Sequence, residues 1–197
     1  MINHSDECLA IRGNHDEVVI REYLDYLKHG NIAEKNSWMK RLNKLQFEYL
    51  NQLPYTISIP SLNIIVVHAG LVPNVDLEQQ KHSDMVTMRN LVADADSNTP
   101  ENGTVEFESA RNQNQLLRAT KSSKEGLPWA SAWHGPMHVY FGHDAQRKLQ
   151  EYPFATGLDT GVVYGGSLTS KFVKGPRSGQ YLSVKALKAW KPIETIS

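Results

Sequence analysis

Three segments of the chain carry residues whose types and spacing could do metal chemistry. Residues 12–16 read Arg-Gly-Asn-His-Asp, and two further histidines each follow an apolar run that is typical of a strand. Imidazole nitrogens and amide oxygens are good ligands for Zn, Mn or Fe. Asn14, His68 and His143 would therefore supply three neutral ligands. Because three neutral groups bind a dication poorly, we expect an anionic fourth ligand and a second metal that shares it, as in two-metal phosphoester hydrolysis.

His15 is a candidate proton donor beside the predicted metal ligand Asn14. Neighbouring residues on an extended loop point in opposite directions, so one of them can bind metal while the other faces a substrate. Asp16 could accept a hydrogen bond from the His15 ring and raise its pKa. A protonated His15 could then donate its proton to a leaving alkoxide.

Structural explanations of the same residues stay open at this point. A single histidine at a strand end is more often a hydrogen-bonded structural residue than a metal ligand. The Asn-His-Asp run could form a turn, since Asn and Asp both favour turns. Arg89 could bind phosphate or could be an ordinary salt-bridge partner.

The elements that must position these residues follow from the apolar pattern of the first half. We expect a short buried strand at residues 8–11, an amphipathic helix at 17–29 that ends at Gly30, and a second helix at 37–53 that ends at Pro54. Residues 55–59 and 63–67 resemble the two strands of a hairpin. The predicted strand at 63–67 leads directly into His68.

The second half of the chain is less regular. We expect a short helix at 84–91, then a solvent-exposed polar insertion at 93–126 that includes a short helix near 112–118. The remaining expected elements are strands, at 139–141, 162–163, 168–172 and 180–184. The simplest interpretation is one α/β domain over residues 1–197.

Composition excludes several classes of protein. Lys+Arg and Asp+Glu are equal at 21 each, so the chain has no basic footprint for nucleic acid. No apolar run is long enough for a transmembrane helix, and the first residues do not form a signal peptide. The single cysteine, Cys8, rules out an intrachain disulfide and fits a reducing compartment. We therefore expect a cytoplasmic location by default, and the sequence indicates no oligomeric state.

The motifs together resemble those of the calcineurin-like metallophosphoesterases. Within that family the closest similarity is to the phosphoprotein-phosphatase branch, which includes the symmetrical bis(5'-nucleosyl)-tetraphosphatases. The order and spacing agree from about residue 8 to 190. The motifs that carry the resemblance lie at residues 12–16, 67–71 (Val-His-Ala-Gly-Leu), 141–144 (Phe-Gly-His-Asp), 157–161 (Gly-Leu-Asp-Thr-Gly) and 164–169 (Tyr-Gly-Gly-Ser-Leu-Thr).

The resemblance implies an α/β/β/α sandwich with a site for two divalent metal ions, Mn, Fe or Zn, at the strand ends. It implies that Asn14, His68 and His143 bind the second metal. It also implies that His15 is the catalytic proton donor and that Asp16 orients it. The implied reaction is hydrolysis of a phosphoester or phosphoanhydride by a metal-bridging hydroxide.

Further site residues follow from the resemblance less directly. Arg89 lies where the family often places an arginine that contacts phosphate. Residues 159–161 are expected to shape the loop beside the site rather than to touch metal. The implied substrates are phosphorylated small molecules such as dinucleoside polyphosphates, inorganic polyphosphate, or phosphoproteins.

The sequence departs from the family pattern at its first two motifs. These motifs both contain Gly-Asp, and no Gly-Asp dipeptide occurs in the 197 residues. They supply the ligands of the first metal and the bridging aspartate. We therefore expect a sandwich that is incomplete at its N-terminus and little or no activity from the chain alone. The alternative hypothesis is a catalytically inactive family member that acts as a binding or regulatory module.

Overall fold

The computed structural model describes residues 8–93 and 117–191. Three α-helices lie in the first half of the chain: α1 (Asn14–His29), α2 (Lys44–Gln52) and α3 (His82–Thr87). The strands are β1 (Thr56–Ile59), β2 (Ile64–Val67), β3 (Asn90–Ala93), β4 (Leu117–Thr120), β5 (Leu127–Pro128), β6 (His138–Phe141), β7 (Gln150–Tyr152), β8 (Ala155–Gly157), β9 (Ser167–Lys171) and β10 (Tyr181–Lys185).

A five-stranded mixed sheet forms the centre of the described structure, in the order β1-β2-β6-β8-β7. Strands β2, β6 and β8 are parallel to one another, whereas β1 and β7 are antiparallel edge strands. The parallel strands present their carboxyl ends at one edge of the sheet. Side chains that follow β2, β6 and β8 therefore meet there, as in other open α/β sheets.

The hydrophobic core lies on one face of this sheet. Side chains along β2, β6 and β8 point alternately to the two faces of the sheet, so that every second residue is directed into the core. Val139, Leu91 and Ala155 are fully buried, and Trp129 is 2% exposed. The Trp129 ring packs edge-on against Phe141, with 4.8 Å between the ring centroids. The core thus supports the end of β6, two residues before His143.

Two smaller sheets flank the central one. Strand β3 pairs antiparallel with both β4 and β5, and β9 and β10 form an antiparallel ribbon. Asn90 at the start of β3 is 1% exposed, and its side-chain amide donates to the Glu125 carbonyl. This contact fixes the loop between β4 and β5 beside the strand that follows Arg89.

The expected hairpin of residues 55–59 and 63–67 is confirmed as β1 and β2. The first helix also forms, but it begins at Asn14 rather than at residue 17. Residues 8–11 are not a strand, and Leu9 is 70% exposed. The helix expected at 37–53 forms only in its second part, as α2. Glu34–Arg41 is a 3-10 helix, and Asn43 caps a separate α2 by accepting a hydrogen bond from the Gln46 backbone.

The second half departs further from the prediction. The helix expected at 84–91 ends at Thr87, and residues 90–93 form β3 instead. Most of the expected insertion, residues 94–116, lies outside the described residues, but 117–120 form a strand rather than the end of a helix. Val162–Tyr164 is a 3-10 turn between two glycines in the left-handed conformation, not a strand. The strands expected near 139–141, 168–172 and 180–184 are confirmed.

Candidate metal site

The ends of β2 and β6 bring the two predicted histidine ligands together. His68 directly follows β2, and His143 follows β6 by two residues. The backbone N–H of Gly142 donates to the His68 carbonyl at 2.8 Å, which holds the two loops in register. The ring centroids of His68 and His143 lie 5.1 Å apart. The histidines expected from separate sequence motifs therefore occupy one site.

The amide of Asn14 reaches the same point from the start of α1. Its Oδ1 atom lies 3.0 Å from Nε2 of His68. The segment before α1 is anchored by Arg12, whose backbone N–H donates to the Pro54 carbonyl and whose guanidinium bonds Glu17 and Tyr55. These contacts explain why Asn14 is delivered to the sheet edge by a helix that is otherwise half-exposed.

The pKa of both histidines is lowered, which favours the neutral imidazole. Burial lowers the pKa of His68, although Asp16 and Asp159 act in the opposite direction. Burial, with the positive charge of Arg89 next in size, lowers the pKa of His143 to about 4. A neutral imidazole at pH 7 has a free lone pair for a metal, so no proton must leave before a metal binds.

The Nε2 atom of His143 is buried and has no hydrogen-bond partner among the described residues. Buried polar atoms are rarely left unpaired, so an orphaned imidazole nitrogen suggests a missing ligand. His143 adopts φ 66°, a left-handed conformation that is uncommon for residues other than glycine.

The donor set of Asn14, His68 and His143 fits a divalent transition metal. Two imidazoles and one amide oxygen from three separate elements suit Mn, Fe or Zn. No group of three or more His, Cys, Asp or Glu side chains gathers around a common point in residues 8–93 and 117–191. The third donor here is an amide. An anionic ligand would have to complete the site.

Gly13 allows His68 to approach α1, and its replacement offers a test of the site. A Cβ atom at position 13 would lie 2.9 Å from the His68 ring, closer than a real contact allows. We expect Gly13→Ala to displace that ring and to lower Mn²⁺ affinity by about tenfold, measured by isothermal titration calorimetry. Lys28→Ala is the control for purification and handling, because Lys28 is exposed in the last turn of α1. Unchanged Mn²⁺ affinity in Gly13→Ala would contradict the placement of His68 as a ligand.

His15 and Asp16 differ in their surroundings. His15 is exposed at the start of α1, next to Asn14. One oxygen of Asp16, Oδ2, accepts a hydrogen bond from the Gly13 N–H at 2.8 Å and so caps the helix. Helix capping is a role that the sequence analysis did not assign to Asp16. The proposed orientation of His15 by Asp16 stays a prediction.

Arg89 lies near His143, donates a hydrogen bond to the backbone and lies close to a buried carboxylate. Its guanidinium donates to the Lys121 carbonyl at 3.0 Å, and its Nε lies 4.0 Å from Oδ1 of Asp144. Asp144 is 4% exposed and also pairs with Arg147. The sequence analysis included Asp144 in the motif at 141–144 without giving it a role, and it did not single out Arg147. Arg147 pairs with Oδ2 of Asp144, whereas Oδ1, the oxygen nearer to Arg89, is buried without a hydrogen-bond partner among the described residues.

A cleft of about 680 Å³ opens from this point. Arg89 and His143 line one part of the cleft, and residues 160–166 line another. Three lysines that the sequence analysis did not single out also line it: Lys124, Lys148 and Lys185. Of residues 159–161, Thr160 and Gly161 line the cleft. Here Gly161 N–H donates to the Asp159 carboxylate at 3.0 Å.

None of the helices in the described residues is long and apolar enough to span a membrane. Comparisons with models of protein families and with curated proteins found no match. Among solved structures, the chain is similar to one named "Crystal structure of a putative diadenosine tetraphosphatase". The two chains are 33% identical and superpose with a TM-score of 0.71, over 91% of this chain and 68% of the other.

The similarity to that structure covers both sequence and backbone. It extends over nearly all of this chain. The mixed α/β architecture agrees with the expected phosphoesterase-type fold. The chain therefore belongs to the same family as that protein, a family of phosphoesterase-type hydrolases with a metallophosphoesterase-like fold.

Proposed function

We propose that this protein is a metal-dependent phosphoesterase that hydrolyses phosphoester or phosphoanhydride bonds. The observation that carries the proposal is the convergence of Asn14, His68 and His143, with the Nε2 atom of His143 buried and unpartnered. The name of the structural neighbour favours a dinucleoside polyphosphate as substrate. Inorganic polyphosphate and phosphoproteins remain the other substrates to test.

We propose a separate role for each of the site residues. Asn14, His68 and His143 would hold one of two divalent metal ions, Mn, Fe or Zn. Bound dications stabilise the charge that develops on the phosphoryl group and lower the pKa of the attacking water. Arg89 would contact a phosphate oxygen through its guanidinium, which donates a hydrogen bond to the Lys121 carbonyl. His15 would give a proton to the leaving oxygen, and Asp16 would orient His15.

Metal binding provides the direct test of this site. We expect the purified chain to bind Mn²⁺ and His68→Ala to bind it at least about tenfold more weakly, since one of three protein ligands is lost. Isothermal titration calorimetry and elemental analysis of the dialysed protein measure affinity and content. His29→Ala is the matched control, because His29 is exposed at the far end of α1 and pairs only with Asp25. Equal Mn²⁺ affinity in His68→Ala and wild type would refute the site.

Activity requires a separate test on a chain that also carries the two Gly-Asp motifs implied by the resemblance. Hydrolysis of diadenosine tetraphosphate, polyphosphate and p-nitrophenyl phosphate with Mn²⁺ would rank the substrates. We expect excess Mn²⁺ to restore part of the activity lost in His68→Ala. A completed chain that binds metal but hydrolyses none of these compounds would favour the alternative, a binding or regulatory module.

A further inference from the structure

A second pocket, of about 450 Å³, opens beside the amino end of β6. Met137 lines this pocket and directly precedes β6, whereas His143 follows the carboxyl end of the same strand. Apart from Ile65, all of its lining residues come from the segments 71–80 and 133–137. The pocket volume falls within the range of roughly 300–1,000 Å³ of ligand pockets in proteins. The pocket is thus separate from the candidate metal site.

The walls of this pocket are largely apolar and are fixed by hydrogen bonds behind them. Val75 and Trp133 are among the apolar side chains that line it. The indole N–H of Trp133 donates to the Met137 carbonyl at 2.9 Å, which holds the ring against its own loop. Gln80 is 6% exposed, and its side-chain amide bonds the backbone of Val72 and Val75. The pocket is therefore preformed for an apolar group.

The charge of this pocket is opposite to that of the cleft beside His143. Asp76 lines the pocket, and no lysine or arginine does so among the described residues. Glu78 follows two residues later and is exposed. Exposed carboxylates beside an apolar pocket repel phosphates and attract an apolar group that is flanked by positive charge.

The last described segment of the chain has these properties. Residues 185–191 read Lys-Ala-Leu-Lys-Ala-Trp-Lys and contain no carboxylate. Leu187 is 100% exposed and Trp190 is 67% exposed. The Nζ atom of Lys188 lies 4.1 Å from the centroid of the Trp190 ring, so a cation accompanies the aromatic side chain. Tryptophan is one of the residues that most often anchor a protein interface by entering a pocket of the partner.

Backbone hydrogen bonds hold this segment away from the pocket of its own chain. The Ala186 N–H donates to the Gly166 carbonyl at 2.9 Å, and the Trp190 N–H donates to the Val163 carbonyl at 2.8 Å. Gly166 lines the cleft beside His143, which lies beyond the carboxyl end of β6. The pocket lies beside the amino end of that strand. One copy thus presents the segment and the pocket at different ends of its central sheet.

We infer that this protein associates with itself head to tail, with Trp190 of one copy in the pocket between segments 71–80 and 133–137 of the next copy. Lys188 of the first copy would then lie near Asp76 of the second. The inference goes beyond the proposed function and needs neither metal nor hydrolysis. Such a contact is heterologous, because each assembly keeps one free pocket and one free segment. An interface around a single anchor is small, so the association is concentration-dependent.

Sedimentation velocity in metal-free buffer, from micromolar to near-millimolar concentration, tests this inference. We expect the mean mass of the wild-type chain to rise with concentration and to exceed that of a dimer. Trp190→Ala should weaken the association at least about tenfold, since the anchor is lost. Asp76→Lys should weaken it as well, because it places a positive charge near Lys188. A wild-type chain that stays monomeric over the whole range would overturn the inference.

Two matched variants control for the loss of an exposed tryptophan and for the change in charge. Trp38→Ala removes a side chain that is 43% exposed in another part of the chain. Glu34→Lys makes the same charge change as Asp76→Lys at an exposed position outside the pocket. Both controls should associate as the wild type does. If Trp190→Ala and Asp76→Lys associate as strongly as these controls, the contact lies elsewhere and the inference is wrong.

Mixing the two defective variants separates a lost contact from a lost fold. Trp190→Ala keeps an intact pocket, and Asp76→Lys keeps an intact segment. An equimolar mixture should form a one-to-one complex that does not grow further, because the remaining pocket and the remaining segment are both defective. Absence of this complex would contradict head-to-tail association.

A synthetic peptide of residues 185–191 tests the occupant directly. We expect the peptide to bind to Trp190→Ala and to dissociate the assemblies of the wild type. If the peptide binds but the wild type does not self-associate, the pocket accepts a basic aromatic segment of a different protein, and the second copy is refuted as its occupant.

Discussion

Replacing His15 with Asn should lower kcat by about 10²–10⁴-fold in a form of the enzyme that also carries the two Gly-Asp motifs. The imidazole is exposed beside Asn14 and is not one of the three converging donors. Loss of a proton donor slows departure of the leaving group but should leave Asn14, His68 and His143 in place. We therefore expect the metal content of His15→Asn, measured by elemental analysis, to stay near that of the wild type.

Two further variants make the His15 result specific. His29→Asn removes an exposed histidine from the other end of the same helix and should leave kcat unchanged. His68→Ala should show the opposite pattern from His15→Asn, with low metal content and partial rescue by excess Mn²⁺. If His15→Asn instead strips the metal, the proposed division between proton donor and metal ligand is wrong.

Replacing Trp129 with Ala should lower the free energy of unfolding by about 3–5 kcal/mol. Trp129 is 2% exposed and packs edge-on against Phe141. A Cβ atom at Gly70 would lie only 2.6 Å from the Trp129 ring, which shows that the indole packs directly on the backbone there. Because the indole lies between the Phe141 ring and the backbone at Gly70, the surrounding structure cannot easily collapse into the cavity that Trp129→Ala would leave. The loss in free energy of unfolding should therefore lie at the upper end of this range.

Urea denaturation followed by circular dichroism measures the effect of Trp129→Ala. Trp190→Ala is the matched control. Its side chain is 67% exposed, and we expect a change of less than about 1 kcal/mol. Because Phe141 lies two residues before His143, Trp129→Ala should also weaken Mn²⁺ binding. A loss of less than about 1 kcal/mol in Trp129→Ala would mean that the core around β6 is not packed as described.

The central part of the fold could be predicted because local pattern and burial agree there. An apolar run that ends in His68, and another two residues before His143, indicated two strands with their ends at one edge of a sheet. The hairpin of β1 and β2 could be predicted from the sequence in the same way. Other elements depend on partners that are distant in sequence. Strand β7 contains the polar residues Gln150 and Glu151, so its composition does not indicate a strand. It forms because it pairs with β8.

The errors in the first half have separate physical causes. The apolar pattern at 37–53 is continuous, but Asn43 and Gln46 cap each other's backbone N–H groups and start a new helix. This signal was present in the sequence and was missed. Residues 8–10 are apolar but exposed, and composition alone cannot show whether a strand finds a partner.

The candidate metal site was more predictable than the cleft next to it. The proposed metal ligands lie in compact motifs with characteristic neighbours, whereas the cleft is assembled from five separate regions of the described chain. Lys124, Lys148 and Lys185 are separated by many residues and resemble ordinary surface lysines in the sequence. They share one location only because the fold places their backbones around the same cleft.

The backbone at His143 restricts which side chains could replace it during evolution. At φ 66° the chain adopts a conformation that Asn, Asp and His tolerate better than most other residues. Cysteine and glutamate are chemically competent metal ligands, but neither belongs to that group. At the proposed metal site, exchange of this ligand would therefore be confined largely to nitrogen donors and short-chain oxygen donors. The dihedral angle of one residue would thus limit the range of metals that the proposed site could bind.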